Sequence, residues 1–281
     1  MRRTIAGGEA GTGSRSGFRF CCRVRARRVS CCAMSQKEQR DIYRDHAEEY
    51  DRLISAEDCD GRLLPSLTAI APIQDQIVLD VGTGTGRIAR LVIAGARRVL
   101  GVEPSPAMLD IARRHLQSSG RQNFELHLGS AERLPIAAAV ADVAIAGWVF
   151  GHFRYWMPDD WQVSVQRAID EMDRCVRPGG TVIIIETLGT GTSDPKPPSP
   201  QLAEYYDWLE AHGFVRSTVR TDYRFDDVKT AATVCGFFFG PALAEKIRAQ
   251  RWSRVPECTG LWSRPQRSVA TTKPDATPPR L

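Results

Sequence analysis

The segment Val78-Leu79-Asp80-Val81-Gly82-Thr83-Gly84-Thr85-Gly86-Arg87-Ile88-Ala89 constrains this 281-residue chain most. A short apolar run carries one acid, Asp80, and turns through three alternating glycines. Helical spacing follows at Ile88, Ala89, Leu91 and Val92. The pattern predicts a strand, a tight loop and a helix N-terminus, the arrangement with which α/β proteins hold nucleotide-like ligands. A loop that lies against a ligand cannot carry Cβ atoms at its closest points, and at least one of its positions needs φ > 0. The spacing is G-x-G-x-G. The dinucleotide fingerprint, counted from Gly82 and Gly84, would put its third glycine where Arg87 stands, which disfavours NAD-linked chemistry. The plain alternative is a glycine-rich βα turn with no ligand.

Val99-Leu100-Gly101-Val102-Glu103 predicts the next strand, ending in an acid about 20 residues past the loop, where doubly wound folds receive ribose hydroxyls. Glu103 is also compatible with an ordinary βα turn, because Pro104 and Pro106 mark a helix start and Ser105 supplies its cap. A third strand, Phe124 to Leu128, leads into Gly129-Ser130-Ala131-Glu132-Arg133-Leu134-Pro135. A fourth, Ala141 to Gly147, delivers Trp148, Val149, Phe150, Gly151 and His152 to its carboxyl end, where ligands sit in open parallel sheets. A helix from Val163 to Cys175, a turn at Arg177-Pro178-Gly179-Gly180 and the β-branched run Thr181 to Glu186 follow, the last fit for a strand buried on both faces.

Four of these segments, in this order, resemble the class I S-adenosylmethionine-dependent methyltransferases. The glycine loop resembles their motif I, residues 129–135 their "G-D-A-x-x-L-P" segment, and "V-R-P-G-G-T-V" at 176–182 a further signature. "A-E-E-Y-D-R-L" at 47–53 resembles the N-terminal helix of the ubiquinone/menaquinone biosynthesis methyltransferases, and "E-T-L-G-T-G-T" with "P-E-C-T-G-L-W" resembles the type 11 group. The resemblance implies an α/β fold: a Rossmann-like doubly wound seven-stranded sheet with the last strand antiparallel, an N-terminal helical lid and a helical insertion near the C-terminus. It implies S-adenosyl-L-methionine as cofactor, held by Tyr50, Asp80, Gly82, Thr83, Gly84, Gly86, Glu103, Pro104, Ser130, Ala131 and Trp148. The methionyl ammonium would lie near Asp80 or the Gly82 carbonyl, the ribose on Glu103 and the adenine on Ser130. Ser130 stands where the family carries an acid, so it could hydrogen-bond the adenine only without charge assistance. Tyr50, with Tyr43 seven residues earlier on the same helical face, implies a lid aromatic. Tyr50 and Trp148 could meet the sulfonium by cation–π contact or serve in packing.

Composition sets the domain bounds. Residues 1–33 hold eight Arg, one acid (Glu9) and four of the eight Cys, so they contribute +7 to a net charge of +5. The remainder is slightly acidic, at about −2, and offers no basic nucleic-acid face. The reading is a basic low-complexity extension over 1–33, a methyltransferase domain over 34–267 and a disordered tail over 268–281. The extension is a transit peptide, a nucleic-acid-binding arm, or non-native sequence ahead of a start at Met34. Scattered cysteines suit a reduced, cytoplasmic setting, or an organelle if the extension is a transit peptide. No stretch of ~18 apolar residues marks a membrane span, and no metal-ligand spacing is present. Beyond Glu186, a Pro/Gly-rich loop at 189–200 precedes a helix with Leu202, Tyr205 and Tyr206. A sixth strand is expected over 214–225, helices over 226–251, and a seventh strand over 252–262.

Methyl transfer to a small molecule by in-line displacement is the expected chemistry. The sulfonium is a good leaving group, so the protein mainly aligns reactants and excludes water. His152 is the candidate catalytic residue, with Glu186 and Asp222 as other candidate bases. The alternatives are an RNA or protein methyltransferase with the same cofactor site, or a cofactor-binding scaffold without turnover. The acceptor, the pathway and the oligomeric state stay open.

Overall fold

A computed structural model describes residues 46–267. The 1–33 extension, Tyr43 and the 268–281 tail lie outside the described residues. Helices α1 (Ala47–Ser55) and α2 (Leu63–Ile70) precede β1 (Ile77–Val81), α3 (Arg87–Val92), β2 (Arg98–Glu103), α4 (Pro106–Ser118), β3 (Phe124–Leu128) and β4 (Ala141–Gly147). A short 3-10 turn (Phe150–His152) leads into α5 (Phe153–Trp156), α6 (Trp161–Cys175) and β5 (Val176–Thr190). The chain ends with α7 (Pro200–Ala211), β6 (Val215–Arg220), β7 (Tyr223–Arg224), α8 (Val228–Phe239), α9 (Pro241–Gln250), β8 (Arg254–Val255) and β9 (Glu257–Pro265).

Seven strands form one sheet in the order β3-β2-β1-β4-β5-β9-β6, with β9 antiparallel to both its neighbours. The strand order reverses at β1/β4, so a crevice opens at the carboxyl ends of these two strands. Alternation along the strands sends Val78, Val143, Ile145, Ile183 and Ile185 to one face, against Leu63, Leu67, Ile88 and Val92. Leu79, Val81, Ala144, Val182 and Ile184 face α6 and α7 through Val165, Ile169, Met172 and Tyr205. Each fully buried aliphatic contributes about 1.5–3 kcal/mol, which fixes the register strongly because a one-residue slip would exchange the faces.

Three expected boundaries differ. The expected turn at 177–180 is absorbed into β5: Ala141 pairs with Val176 and Val143 with Thr181, so the extra residues bulge out at Gly179, whose φ is +82°. The expected sixth strand divides at Thr221–Asp222 into β6 and β7. The expected seventh divides at Pro256 into β8 and β9, because proline has no N–H for the ladder. The two short pieces, β7 and β8, pair with each other. A third apolar cluster joins Leu53 of α1 to Tyr223, Ala231, Cys235, Ile247 and Val255, so the N-terminal helix packs on the C-terminal insertion.

Candidate active site

The glycine loop crosses the carboxyl ends of β1 and β2. Gly82, Gly84 and Gly86 all have positive φ, at +69°, +55° and +89°. A Cβ on Gly82 would stand 2.4 Å from Val149 Cγ2, whereas one on Gly84 would meet only the Gly82 carbonyl at 4.0 Å. Gly84 therefore leaves open space beside the loop, of the kind a ligand needs. Asp80 is buried and braces the loop from beneath: its Oδ2 accepts the Thr83 hydroxyl (2.5 Å) and the Ala89 N–H of α3 (3.0 Å). Burial lifts its carboxyl to about 6 despite those two bonds.

Glu103 ties the end of β2 to the loop. Its Oε2 accepts the Gly84 N–H at 3.1 Å and its Oε1 the Ser105 N–H at 3.0 Å. Burial raises the carboxyl to about 7. Pro104 is exposed beside it, and Ser105 caps α4 by accepting the Met108 N–H. The Gly129 N–H donates to the Glu103 carbonyl at 3.2 Å, which sets exposed Ser130 and half-buried Ala131 next to this corner. Ser130 also pairs as an isolated bridge with Arg133.

Trp148 leaves β4 with φ +56°, a left-handed conformation that a bulky residue adopts only under constraint. Its ring carries the Arg87 guanidinium at 3.5 Å. Arg87 pairs in turn with Glu57 at 2.9 Å. Burial works against the Arg87 charge, and Glu57, with smaller contributions from Tyr223 and Tyr50, more than offsets it. Tyr50 packs against Phe238 of α8 at 5.6 Å, and burial lifts its phenol to about 12. That phenol feels the charges of Arg87, Glu57 and Glu103, so α1 reaches over the same crevice. A second tie holds α1: His115 of α4 meets the Thr85 carbonyl at 3.0 Å and Asp51 at 3.2 Å.

His152 lies on the 3-10 turn just past Trp148, its ring stacked on Trp156 at 4.8 Å and 11°. Burial pulls it down to about 4, which keeps it neutral and leaves it weakly basic. Asp222 is engaged by Arg220, Arg254 and the Glu257 N–H; burial opposes its ionisation, and these bonds hold it below the usual carboxylate range all the same. Glu186 accepts the Gly151 N–H and the Tyr205 hydroxyl, while burial lifts it to about 8.

The structure thus brings Asp80, the three glycines, Thr83, Glu103, Trp148 and Tyr50 to one crevice, with Pro104, Ser130 and Ala131 at its rim. Sequence reasoning missed the roles of Arg87 and Glu57. Arg87 did carry a signal, because a cation in the first turn of a helix opposes the macrodipole and calls for a compensating partner.

The strand order, the reversed β9 and the glycine loop between two buried acids are those of the class I methyltransferases. Residues 79–184 match the type 11 family model described as a methyltransferase domain. The demethylmenaquinone methyltransferase of Chlorobaculum parvum is 35% identical over 113 residues, which is 40% of this chain and 41% of that protein. The malonyl-[acyl-carrier protein] O-methyltransferase of Pectobacterium atrosepticum is 33% identical over 144 residues, 51% of this chain and 50% of that one. The chain therefore spans half or less of the length of these relatives. Phosphoethanolamine N-methyltransferase 2 of Haemonchus contortus, solved with phosphomonomethylethanolamine and S-adenosylhomocysteine, shares the fold at a TM-score of 0.53. It is 16% identical over 83% of this chain and 61% of that chain.

Among the described residues no helix is long and apolar enough to cross a membrane, and no group of three or more His, Cys, Asp or Glu is placed to hold a metal ion.

Proposed function

We propose that this protein binds S-adenosyl-L-methionine in the β1/β4 crevice and transfers its methyl group to a small-molecule acceptor. The observation that carries the reading is the pairing of Glu103 with the Gly84 amide beside the open space that Gly84 leaves. That donor set suits an adenosine with a free ribose. Glu103 would take the ribose hydroxyls, and in its ionised form would repel a ribose phosphate. Ser130 and Ala131 would border the adenine. Asp80 acts through Thr83 and Ala89, holding the loop rather than reaching out from it. The bound cofactor supplies an electrophilic methyl group on a sulfonium. Trp148 and Tyr50 present aromatic surface to that cationic end, and α1 with α8 shuts out water.

A small-molecule acceptor fits the slightly acidic domain better than RNA does. Similarity to enzymes named for a quinone precursor and for a malonyl thioester carrier supports methyl transfer to non-nucleic-acid acceptors and leaves the acceptor atom to be found. The test is S-adenosylhomocysteine formation by the full chain with S-adenosylmethionine and, separately, phenol, amine, carboxylate, RNA and protein acceptors. Turnover of one or more small molecules is expected. Turnover of RNA or protein alone would refute the small-molecule reading, and binding without any turnover would favour a cofactor-dependent scaffold.

A further inference from the structure

Helix α4 is pressed against the glycine loop. A Cβ on Gly86 would stand 3.3 Å from the Cα and Cβ of Ala112, so loop and helix meet with no side chain between them. His115 lies three residues further along α4 on the same face as Ala112, which brings its ring to the loop. Its Nδ1 lies 3.0 Å from the Thr85 carbonyl and 3.3 Å from Nη1 of Arg90 on α3, and its Nε2 lies 3.2 Å from Asp51 Oδ2 on α1. The carbonyl and the carboxylate accept hydrogen bonds, whereas Arg90 donates. A ring with a proton on both nitrogens joins Asp51 to Thr85, and a neutral ring with its proton on Nε2 joins Asp51 to Arg90. In both forms one imidazole links α1 to the glycine loop or to the helix that leaves it.

The two ends of α1 are held differently. Past its carboxyl end the backbone is bonded to the junction of β6 and β7. The Arg224 N–H donates to the Ala56 carbonyl at 2.8 Å, and the Asp58 and Cys59 N–H groups donate to the carbonyls of Thr221 and Asp222 at 3.2 and 3.1 Å. Toward its amino end α1 is held by side chains. Ala47 and Tyr50 pack on Met108 and Ile111 of α4, and the rings of His46 and Tyr50 meet Phe237 and Phe238 of α8. Glu48 pairs with Arg114 and Asp51 with His115. The Glu48 and Arg114 side chains are 69% and 62% exposed, where an ion pair contributes little. Those of Asp51 and His115 are 15% and 25% exposed, so theirs is the stronger polar tie of the two.

We propose that His115 is a positioning residue that couples cofactor binding at the glycine loop to closure of α1. This rests on the methyltransferase reading above. Helix α1 turns about its bonded end at residues 56–59, and its amino-terminal half is the part that lifts. A cofactor lying against Gly84 fixes the loop. Through His115 the loop then fixes Asp51, and with it the neighbouring Tyr50, whose phenol feels the charge of Glu103 across the crevice. Such coupling is reciprocal: if the bound cofactor holds α1 down, then α1 held down raises cofactor affinity by the same factor. His115 acts through Thr85 or Arg90 on one side and Asp51 on the other, and not on the reacting atoms.

The test compares the full chain with His115→Ala, Asp51→Ala and the double variant, with S-adenosylhomocysteine as the probe. Three readouts are taken: amide hydrogen exchange over residues 47–59, calorimetric affinity for the probe, and Tm without ligand. In the wild type the probe is expected to slow exchange at residues 47–51 about tenfold or more and to leave residues 58 and 59 unchanged, since those amides stay bonded. Each single variant is expected to lose most of that slowing and about fivefold or more in affinity, the low end of coupling between sites. Its Tm should stay within about 2 °C of the wild type. Asp51→Ala leaves α4 untouched, so it reads the same tie without disturbing the packing of that helix. The double variant is expected to lose no more than the worse single variant, because both remove one shared tie. Wild-type binding with unchanged exchange at residues 47–51 would overturn this inference alone. So would single variants that keep the slowing and the affinity, losses that add in the double variant, or a Tm several degrees lower in both singles, which would make the tie a structural staple. Failure of the folded wild type to bind the probe would overturn the methyltransferase reading and this inference with it.

Discussion

Gly82 and Gly84 share a positive φ but differ in what surrounds them, and substitution separates the two. Gly82→Ala places a methyl 2.4 Å from the Val149 side chain, so it should cost about 2–4 kcal/mol of fold stability from backbone strain and crowding together. Gly84→Ala meets no such neighbour. It should cost about 1 kcal/mol of stability and a larger share of cofactor affinity, as calorimetry on both variants would show. Glu103→Ala should weaken binding by about 1–3 kcal/mol, a loss of roughly 5- to 150-fold; unchanged affinity would place the ribose elsewhere. His152→Ala should lower Tm while reducing turnover less than tenfold, because a ring stacked on Trp156 with depressed basicity serves packing better than proton transfer. The glycines, Asp80 and Glu103 were legible in the sequence because their spacing is local. Glu57 offered no signal, since its partners are 30 to 164 residues away and only the fold assembles them.

Helix α1 is held by polar ties and by apolar contacts on two sides. Asp51 joins His115, Glu48 joins Arg114, and Glu57 just past the helix joins Arg87; Leu53 and Tyr50 pack on the insertion, and Ala47 packs on Met108 and Ile111 of α4. Breaking a buried ion pair by removing one partner costs about 3–5 kcal/mol if the other charge stays buried. Glu57→Gln offers Arg87 a cheaper route, which is to let α1 lift and water enter. The expected outcome is faster amide hydrogen exchange across Ala47–Ser55 with a small change in global Tm; unchanged exchange with a large drop in Tm would mean that the lid does not open. Strand periodicity made the five strands from β1 to β5 legible. It failed where one residue interrupts a ladder, at the Gly179 bulge and at Pro256, because hydrophobic pattern reports which face is buried and not where hydrogen bonding is broken.

Across the molecule, burial holds several acids above their ordinary range: Asp80 to about 6, Glu103 to about 7, Glu186 and Glu257 to about 8. The unfolded chain ionises these groups near pH 4, so the folded protein binds more protons between there and pH 8, and their contribution to stability is lost as pH rises through the folded values. His152 acts in the opposite direction only below about pH 6.5. The Tm of the unliganded protein should therefore fall between about pH 6.5 and 8.5, and a rising Tm there would contradict the burial of these carboxyls in solution. The same acids crowd the end of the sheet where the glycine loop lies, an arrangement that serves a site better than it serves stability. The most direct measurement is a calorimetric titration of the full chain with S-adenosylmethionine, S-adenosylhomocysteine and NADH. Micromolar binding of the two adenosyl-sulfur ligands and none of NADH is the predicted result. Binding of none by a folded protein, or of NADH in preference, would contradict a cofactor site built from Gly84 and Glu103.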